Sequence, residues 1–196
     1  RIYEGTNEIN RMLSIGMILK KAMKGELDIM SAHQNILDDK PQETLENSDE
    51  LNDEIVLVEN MKNVFLLLLG KSFEKFGPEI DKNQQVLLSL SDLAIETYIS
   101  ESTLKRTLRN IKRTSTIDQE YQVSMSKLYI YEAAKIIEKK SRDIVNSVID
   151  NDNQENIYSS ILKKLSYTKN PNIFELKTHV ADKIIAAPFA IIGSIG

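Results

Sequence analysis

Apolar residues recur about every three to four positions over most of the chain, a spacing typical of amphipathic helices. The first such segment runs from residue 6 to about residue 24. Thr6 or Asn7 can cap its N-terminus, and Gly25 marks its end. Its apolar positions are Ile9, Met12, Leu13 and Met17. The pattern predicts a capped helix close to the first residue of the chain.

Further helical blocks follow after residue 54. They cover about 55–76, 79–113, 117–150 and a shorter pair, 155–167 and 173–185. The first of them is apolar almost all the way round, which is typical of a central helix, and Gly77-Pro78 ends it. Short turns between long amphipathic helices make neighbours antiparallel. The predicted fold is all-α, an antiparallel four-helix-type bundle.

Residues 26–53 have a different character from the blocks on either side. Asp, Glu, Asn, Gln and Ser dominate, Pro41 interrupts them, and a short helix can cover 27–37. Such a composition predicts an acidic linker. We therefore expect three parts: the helix in 1–25, the linker in 26–53 and the helical bundle in 54–196.

Composition narrows the possible chemistry. Apolar residues make up 41% of the chain, enough for a buried core. The chain has no Cys, which excludes disulfides and thiolate metal sites. His33 and His179 stand outside any metal-binding spacing, so we expect helix-packing or surface roles and no metal site. A net charge of −4 gives no reason to expect nucleic acid as a partner.

The longest apolar run, VFLLLLG at 64–70, is far shorter than the roughly 20 residues that span a bilayer. The acidic stretch 38–54 would be repelled by anionic lipid. We expect a cytoplasmic protein, at most peripheral to a membrane, with no firm membrane contact.

The opening residues carry the sharpest motif. Residues 2–11, IYEGTNEINR, resemble the acyl-CoA dehydrogenase family, which has an aromatic-Glu-Gly-Thr-polar-acidic-Ile pattern near the end of its catalytic subunit. The long helical extension after the motif resembles the very-long-chain branch, whose members have a second C-terminal helical domain. In that reading, residues 1–25 are the end of the catalytic helical domain, and 54–196 is the additional bundle.

The resemblance implies a role for each residue of the motif. Glu4 aligns with the catalytic base, which removes the α-proton of a fatty acyl-CoA while the β-hydrogen leaves as hydride to FAD. Its backbone N–H would help to hold the thioester carbonyl. Gly5 would lie against the substrate. Thr6, Asn7 and Glu8 would lie near the FAD. The implied partners are fatty acyl-CoA, an electron-transfer flavoprotein and a second subunit of a homodimer.

Two other interpretations stay open. Judged from the residues alone, Glu4 is simply a capping carboxylate, and the bundle is a non-catalytic interaction or dimerisation module. The chain could also belong to an acyl-CoA oxidase, which shares the carboxylate chemistry. Residues 12–196 supply no Gly-rich phosphate loop and no recognisable flavin or CoA site. We therefore expect a C-terminal portion of a longer enzyme, which by itself binds no FAD and is inactive.

Overall fold

The structure is a computed structural model that describes residues 6–37, 50–113 and 118–186. These ranges contain seven α-helices, one short 3-10 helix and no strand. The helices are α1 (Asn7–Met23), α2 (Ile29–Leu37), α3 (Asn52–Phe76), α4 (Gln84–Arg113), α5 (Asp118–Val148), α6 (Asn151–Lys164) and α7 (Ile173–Ala186), with the 3-10 helix over Gly77–Lys82. The predicted all-α fold is confirmed.

Helices α3 to α6 form an up-and-down four-helix bundle. Two polar contacts show in which direction neighbouring helices run. Thr107, late in α4, bonds Ser126, early in α5, with 2.6 Å between the two hydroxyl oxygens. Asn60, early in α3, donates to the carbonyl of Lys164 at the end of α6 at 2.8 Å. Neighbouring helices of the bundle are therefore antiparallel, as the short connections predict.

Helix α3 supplies much of the core. It is apolar on most of its circumference and packs against α2, α4, α5 and α6. Its buried apolar side chains are Ile55, Leu57, Val58, Met61, Val64, Leu67, Leu68 and Leu69. The predicted central position of this helix is confirmed. Among the described residues, none of the helices combines the length and apolar character that crossing a membrane requires.

Three helices lie outside the bundle and pack on it. Helix α1 contacts α4, α2 contacts α3, and α7 contacts α5. Ile15 is fully buried and Leu19 nearly so, and both belong to the same apolar core as the bundle. Helix α1 and the four-helix bundle therefore share one apolar core.

Helix α1 ends where the sequence predicts. Gly25 has φ of +74°, a conformation that residues with a side chain rarely adopt. The Gly25 N–H donates to the carbonyl of Ala22 and the Glu26 N–H to that of Lys21, both at 2.9 Å. This pair of bonds is the Schellman motif, which satisfies the last carbonyls of a helix.

The block expected over 79–113 is divided in the structure, and that prediction of one continuous helix is wrong. Residues Gly77–Lys82 form the 3-10 helix, and α4 begins at Gln84. Asn83, with ψ of 63°, breaks the chain direction, and its carbonyl accepts from the N–H groups of Val86 and Leu87. Asn is a favoured residue at such a helix start.

The expected acidic linker lies partly within the described chain. Its residues 29–37 form α2, which packs on α3. His33 of α2 is 1% exposed and lies against Gly70 of α3, so its expected helix-packing role is confirmed. The linker residues 38–49 fall outside the described ranges.

Candidate functional site

The described part of the opening motif is the N-terminus of α1. Glu4 and Gly5 lie outside the described residues. Thr6 is the N-cap, with φ of −74° and ψ of 148°. Its hydroxyl accepts from the N–H of Ile9 at 3.3 Å, and its carbonyl accepts from the N–H of Asn10 at 3.1 Å. The predicted cap is therefore confirmed at Thr6.

The first turn of α1 is open to the surroundings. Asn7 and Glu8 are exposed, and Thr6 is half-buried. The N–H groups of a first helical turn have no carbonyl partner within the helix, so they can bind an external acceptor. The carboxylate of Glu8 disfavours a phosphate at the same place. This donor set fits a neutral polar group better than a pyrophosphate.

One face of α1 is apolar and exposed. Ile9, Leu13 and Met17 follow each other at intervals of four residues, and their side chains are 56%, 57% and 52% exposed. Residues at this spacing share one helix face. Together they form an apolar stripe that stays more than half exposed among the described residues.

The opposite face of α1 is fastened to the bundle by polar contacts. Nη2 of Arg11 donates to Oδ1 of Asp92 and, at 3.3 Å, to the carbonyl of Leu88. The other oxygen of Asp92, Oδ2, lies 3.0 Å from Nζ of Lys140 on α5. One carboxylate thus joins α1, α4 and α5.

A cavity of about 370 Å³ lies at the other end of α1, between α1, α2 and α3. Its lining is mainly apolar and includes Leu19, Met23, Met30, Leu69 and Phe73. Asp28 is the acidic member of the lining. Hydrogen bonds from Ser31, including one from its N–H at 3.0 Å, lower the pKa of Asp28. This carboxylate therefore caps α2 in its ionised form.

Glu54 is a buried carboxylate that sequence reasoning did not single out. It lies at the start of α3 and is 3% exposed. Burial raises its pKa above the ordinary value, and the positive charge of Lys127 offsets part of that rise. The residue belongs to an acidic run that is typical of a solvated segment, so no local signal indicated its burial.

No group of three or more His, Asp or Glu side chains in the described ranges is arranged to hold a metal ion. His33 has a different environment: its Nε2 lies 3.2 Å from Oε1 of Glu74, whose other oxygen accepts from Lys71 at 2.8 Å. The pKa of Glu74 is lowered, mainly by the hydrogen bond from Lys71 and to a smaller extent by His33. The contact between His33 and Glu74 joins α2 to α3.

Replacing Thr6 by Ala removes the hydroxyl that accepts from the Ile9 N–H. We expect this change to lower the free energy of unfolding by about 1 kcal/mol, because a first-turn donor loses its partner. Urea denaturation of the 196-residue chain measures the effect. Thr6→Ser keeps the hydroxyl and serves as the matched control. An Ala variant as stable as the wild type would show that the cap contributes nothing.

Comparisons with known proteins give consistent results. The family model described as "Acyl-CoA dehydrogenase, C-terminal domain" matches residues 60–164, from within α3 to the end of α6. A protein of Bacillus subtilis (strain 168) named "Probable acyl-CoA dehydrogenase" is 29% identical over 191 residues. That match covers 95% of this chain and 32% of the relative.

A solved structure, the crystal structure of an acyl-CoA dehydrogenase complexed with FAD from Bacillus anthracis, has a similar fold. Its TM-score with this chain is 0.86 at 32% sequence identity, over 95% of this chain and 32% of that one. The chain therefore spans about a third of the length of both relatives.

Proposed function

Since the chain belongs to the acyl-CoA dehydrogenase family, we propose that it is the C-terminal portion of a flavin-dependent acyl-CoA dehydrogenase that acts in fatty acid β-oxidation. The observation that carries this proposal is the family model, which matches the four-helix bundle over residues 60–164. Further support comes from the FAD-complexed relative, since its match extends over 95% of the chain. The opening motif adds the residue that the reaction requires, Glu4.

In the proposed mechanism, the carboxylate of Glu4 removes the α-proton of the acyl-CoA thioester. The backbone N–H of Glu4 donates to the thioester carbonyl, which stabilises the negative charge that develops there. Gly5 leaves room for the substrate, because it has no side chain. The capped start of α1 supports this role, since it fixes the beginning of the helix that follows the motif, and sites carried by helices are more precise than sites on loops.

Thr6, Asn7 and Glu8 would contact FAD, which when bound supplies the acceptor for the β-hydrogen of the substrate as hydride. The first turn of α1 fits part of such a site. The N–H groups of Asn7 and Glu8, which have no carbonyl partner within the helix, and the Asn7 amide are donors, and both residues are exposed. Because Glu8 is negative, these donors suit the uncharged polar atoms of the cofactor better than its phosphates.

The finer assignments are part of the same proposal. The long helical region after the motif supports the very-long-chain branch and a long-chain fatty acyl-CoA substrate. The proposed electron acceptor is an electron-transfer flavoprotein. An acyl-CoA oxidase is the alternative, and it is tested by the acceptor: oxygen consumption without the flavoprotein would favour the oxidase. Turnover of a series of acyl chain lengths tests the substrate.

We also propose a cytoplasmic location, with residues 1–25 belonging to the catalytic helical domain, 26–53 to the linker and 54–196 to the bundle. The acidic residues of 38–53 support the lack of membrane contact, since anionic lipid repels them. Flotation with anionic liposomes at low salt tests this part of the proposal. Recovery of the protein with the liposomes would contradict it.

A second candidate function is a non-catalytic interaction or dimerisation module. The exposed stripe of Ile9, Leu13 and Met17 favours it, because apolar surface of this kind is often covered by a partner. The proposed homodimer of the enzyme accounts for the same surface. Activity discriminates between the two functions, since a module has no acyl-CoA turnover in the full-length protein.

The proposed function is tested by comparing the full-length protein with the 196-residue chain. We expect the full-length protein to show flavin absorbance and to oxidise acyl-CoA with an electron acceptor. We expect the chain alone to show neither, because the described residues offer only one edge of a flavin site. A full-length protein without flavin or turnover would contradict the proposed function, and flavin bound to the chain alone would contradict its division between domains.

A further inference from the structure

We propose that Asp92 is a positioning residue for the reaction: it holds the N-terminal half of α1, and with it residues 6–11 of the opening motif, in register with α4 and α5. The proposal rests on the proposed function, since it takes Glu4 as the base. Asp92 lies in the bundle and has no place in the motif itself. Its effect on the reaction passes through Arg11.

The carboxylate of Asp92 contacts two cations, Arg11 of α1 and Lys140 of α5. Its side chain is 19% exposed, that of Arg11 is 22% exposed and that of Lys140 is 32% exposed. Arg11 uses one nitrogen, Nη2, for both Asp92 and the carbonyl of Leu88. Charge-assisted bonds of this kind are shorter and stronger than bonds between neutral groups. Asp92 therefore constrains where Arg11 can lie.

The apolar contacts of α1 constrain it less specifically. Ile15 and Leu19 are the two side chains that α1 buries, and the hydrophobic effect that favours their burial is non-directional, so it opposes sliding and rotation of the helix less than directed contacts do. The polar contacts resist both movements. Ser14 reinforces them, because its hydroxyl oxygen lies 3.2 Å from that of Ser91, which is fully buried. The register of α1 thus depends on a few polar atoms.

The distance from this anchor to the motif is short. Arg11 follows the N-cap, Thr6, by five residues, which is about 7.5 Å along a helix. A capped helix moves as a unit over this length, so a slide at Arg11 also displaces Thr6, the described residue of the motif that is nearest to Glu4 in sequence. A displacement of about 1 Å in a catalytic group can lower the rate by about 10²-fold.

Asp92→Asn is the informative change, because it keeps the shape and removes the charge. The amide still offers one oxygen to Arg11, but its NH₂ group faces the ammonium of Lys140, so two donors meet. Arg11 and Lys140 are then two half-buried cations without the carboxylate between them. We expect α1 to shift to relieve this arrangement.

Glu101 provides a matched control on the same helix. Its side chain is 24% exposed, and its Oε1 also binds two cations, Lys62 at 3.2 Å and Lys105 at 2.7 Å. These contacts join α3 to α4 and leave α1 untouched. Glu101→Gln therefore removes a comparable carboxylate from the bundle without altering the anchor of α1.

The experiment uses the full-length flavin-loaded enzyme and acyl-CoA with either hydrogen or deuterium at the α-carbon. For Asp92→Asn we expect kcat to fall by about 10- to 100-fold with KM changed by less than about twofold, and the isotope effect on kcat to increase. Flavin content should equal that of the wild type. Glu101→Gln should leave kcat and the isotope effect unchanged. Equal behaviour of the two variants would overturn the proposal.

If Asp92→Asn does not fold, Arg11→Lys replaces it. Lys keeps the charge but lacks the reach to contact both Asp92 and the carbonyl of Leu88, so kcat should fall by about threefold or more while the melting temperature changes little. An unchanged kcat in this variant would overturn the proposal. Glu4→Gln is measured alongside: if it retains activity, the proposed base is wrong and the positioning role falls with it. If it is inactive while the Asp92 variant matches its control, only the positioning role is wrong.

Discussion

Replacing Glu4 by Gln is expected to lower kcat of the full-length enzyme by about 10²- to 10⁴-fold, the usual contribution of a general base. The amide has nearly the same shape as the carboxylate but cannot accept the α-proton. Substrate binding should persist, because the change keeps the backbone N–H of residue 4 and leaves Gly5, which is proposed to face the substrate, in place. Steady-state turnover of a long-chain acyl-CoA measures kcat and KM separately.

Glu26→Gln is the matched control for this prediction. Glu26 is an exposed carboxylate just beyond the C-terminus of α1, outside the opening motif. Its replacement changes the net charge by the same amount and should leave kcat unchanged. A Glu4 variant with wild-type kcat would show that Glu4 is not the base of the reaction.

Replacing Gly70 by Ala is expected to lower the free energy of unfolding by about 1–3 kcal/mol, the usual range for overpacking a core. A methyl group at this position would overlap the imidazole ring of His33, which is 1% exposed, so the ring or its helix has to move. The change should therefore force α2 away from α3. Urea denaturation of the 196-residue chain measures the loss.

A double-mutant cycle with His33→Ala identifies the cause of that loss. Without the imidazole ring, the methyl group added by Gly70→Ala has room, so this change should cost little or even stabilise the helix in that background. Gly16→Ala is the control within α1. A Cβ at Gly16 meets no atom within 4 Å, so Ala should stabilise the chain by about 0.5–1 kcal/mol through helix propensity. Equal costs of Gly70→Ala in both backgrounds would contradict the steric explanation.

The limits of α1 illustrate what the sequence can predict. Its start depends on one hydroxyl three residues before an N–H, and its end depends on a residue that tolerates positive φ. Both signals are local, so Thr6 and Gly25 could be named in advance. The central position of α3 was also predictable, since a helix that is apolar on nearly all sides is stable only when it is buried.

The contacts that hold the outer helices were not predictable. Arg11 and Asp92 are separated by 81 residues. Each looks like an ordinary exposed charge in its own helix, and only the packing of α1 on α4 brings them together. The close approach of His33 to Gly70 has the same origin. A lone His and a Gly in an apolar helix carry no sign that they face each other.

The break before α4 was missed for a different reason. Residues 79–113 continue the helical spacing of apolar positions, so periodicity alone joins the 3-10 helix to α4. Asn83 carries the competing signal, because Asn favours helix starts over helix interiors. The roles of Glu4, Gly5, Asn7 and Glu8 in catalysis and cofactor binding stay predictions. So does any role of Thr6 beyond its cap.

The proposed function and the positioning role of Asp92 both depend on Glu4 being the base of an acyl-CoA dehydrogenase. Anaerobic mixing of the full-length, flavin-loaded enzyme with a long-chain acyl-CoA tests this most directly, because loss of flavin absorbance reports a single oxidation of substrate. We expect rapid bleaching in the wild type and an oxidised spectrum that persists in Glu4→Gln despite bound substrate. Bleaching of the Gln variant at the wild-type rate would contradict the assignment of Glu4 as the base.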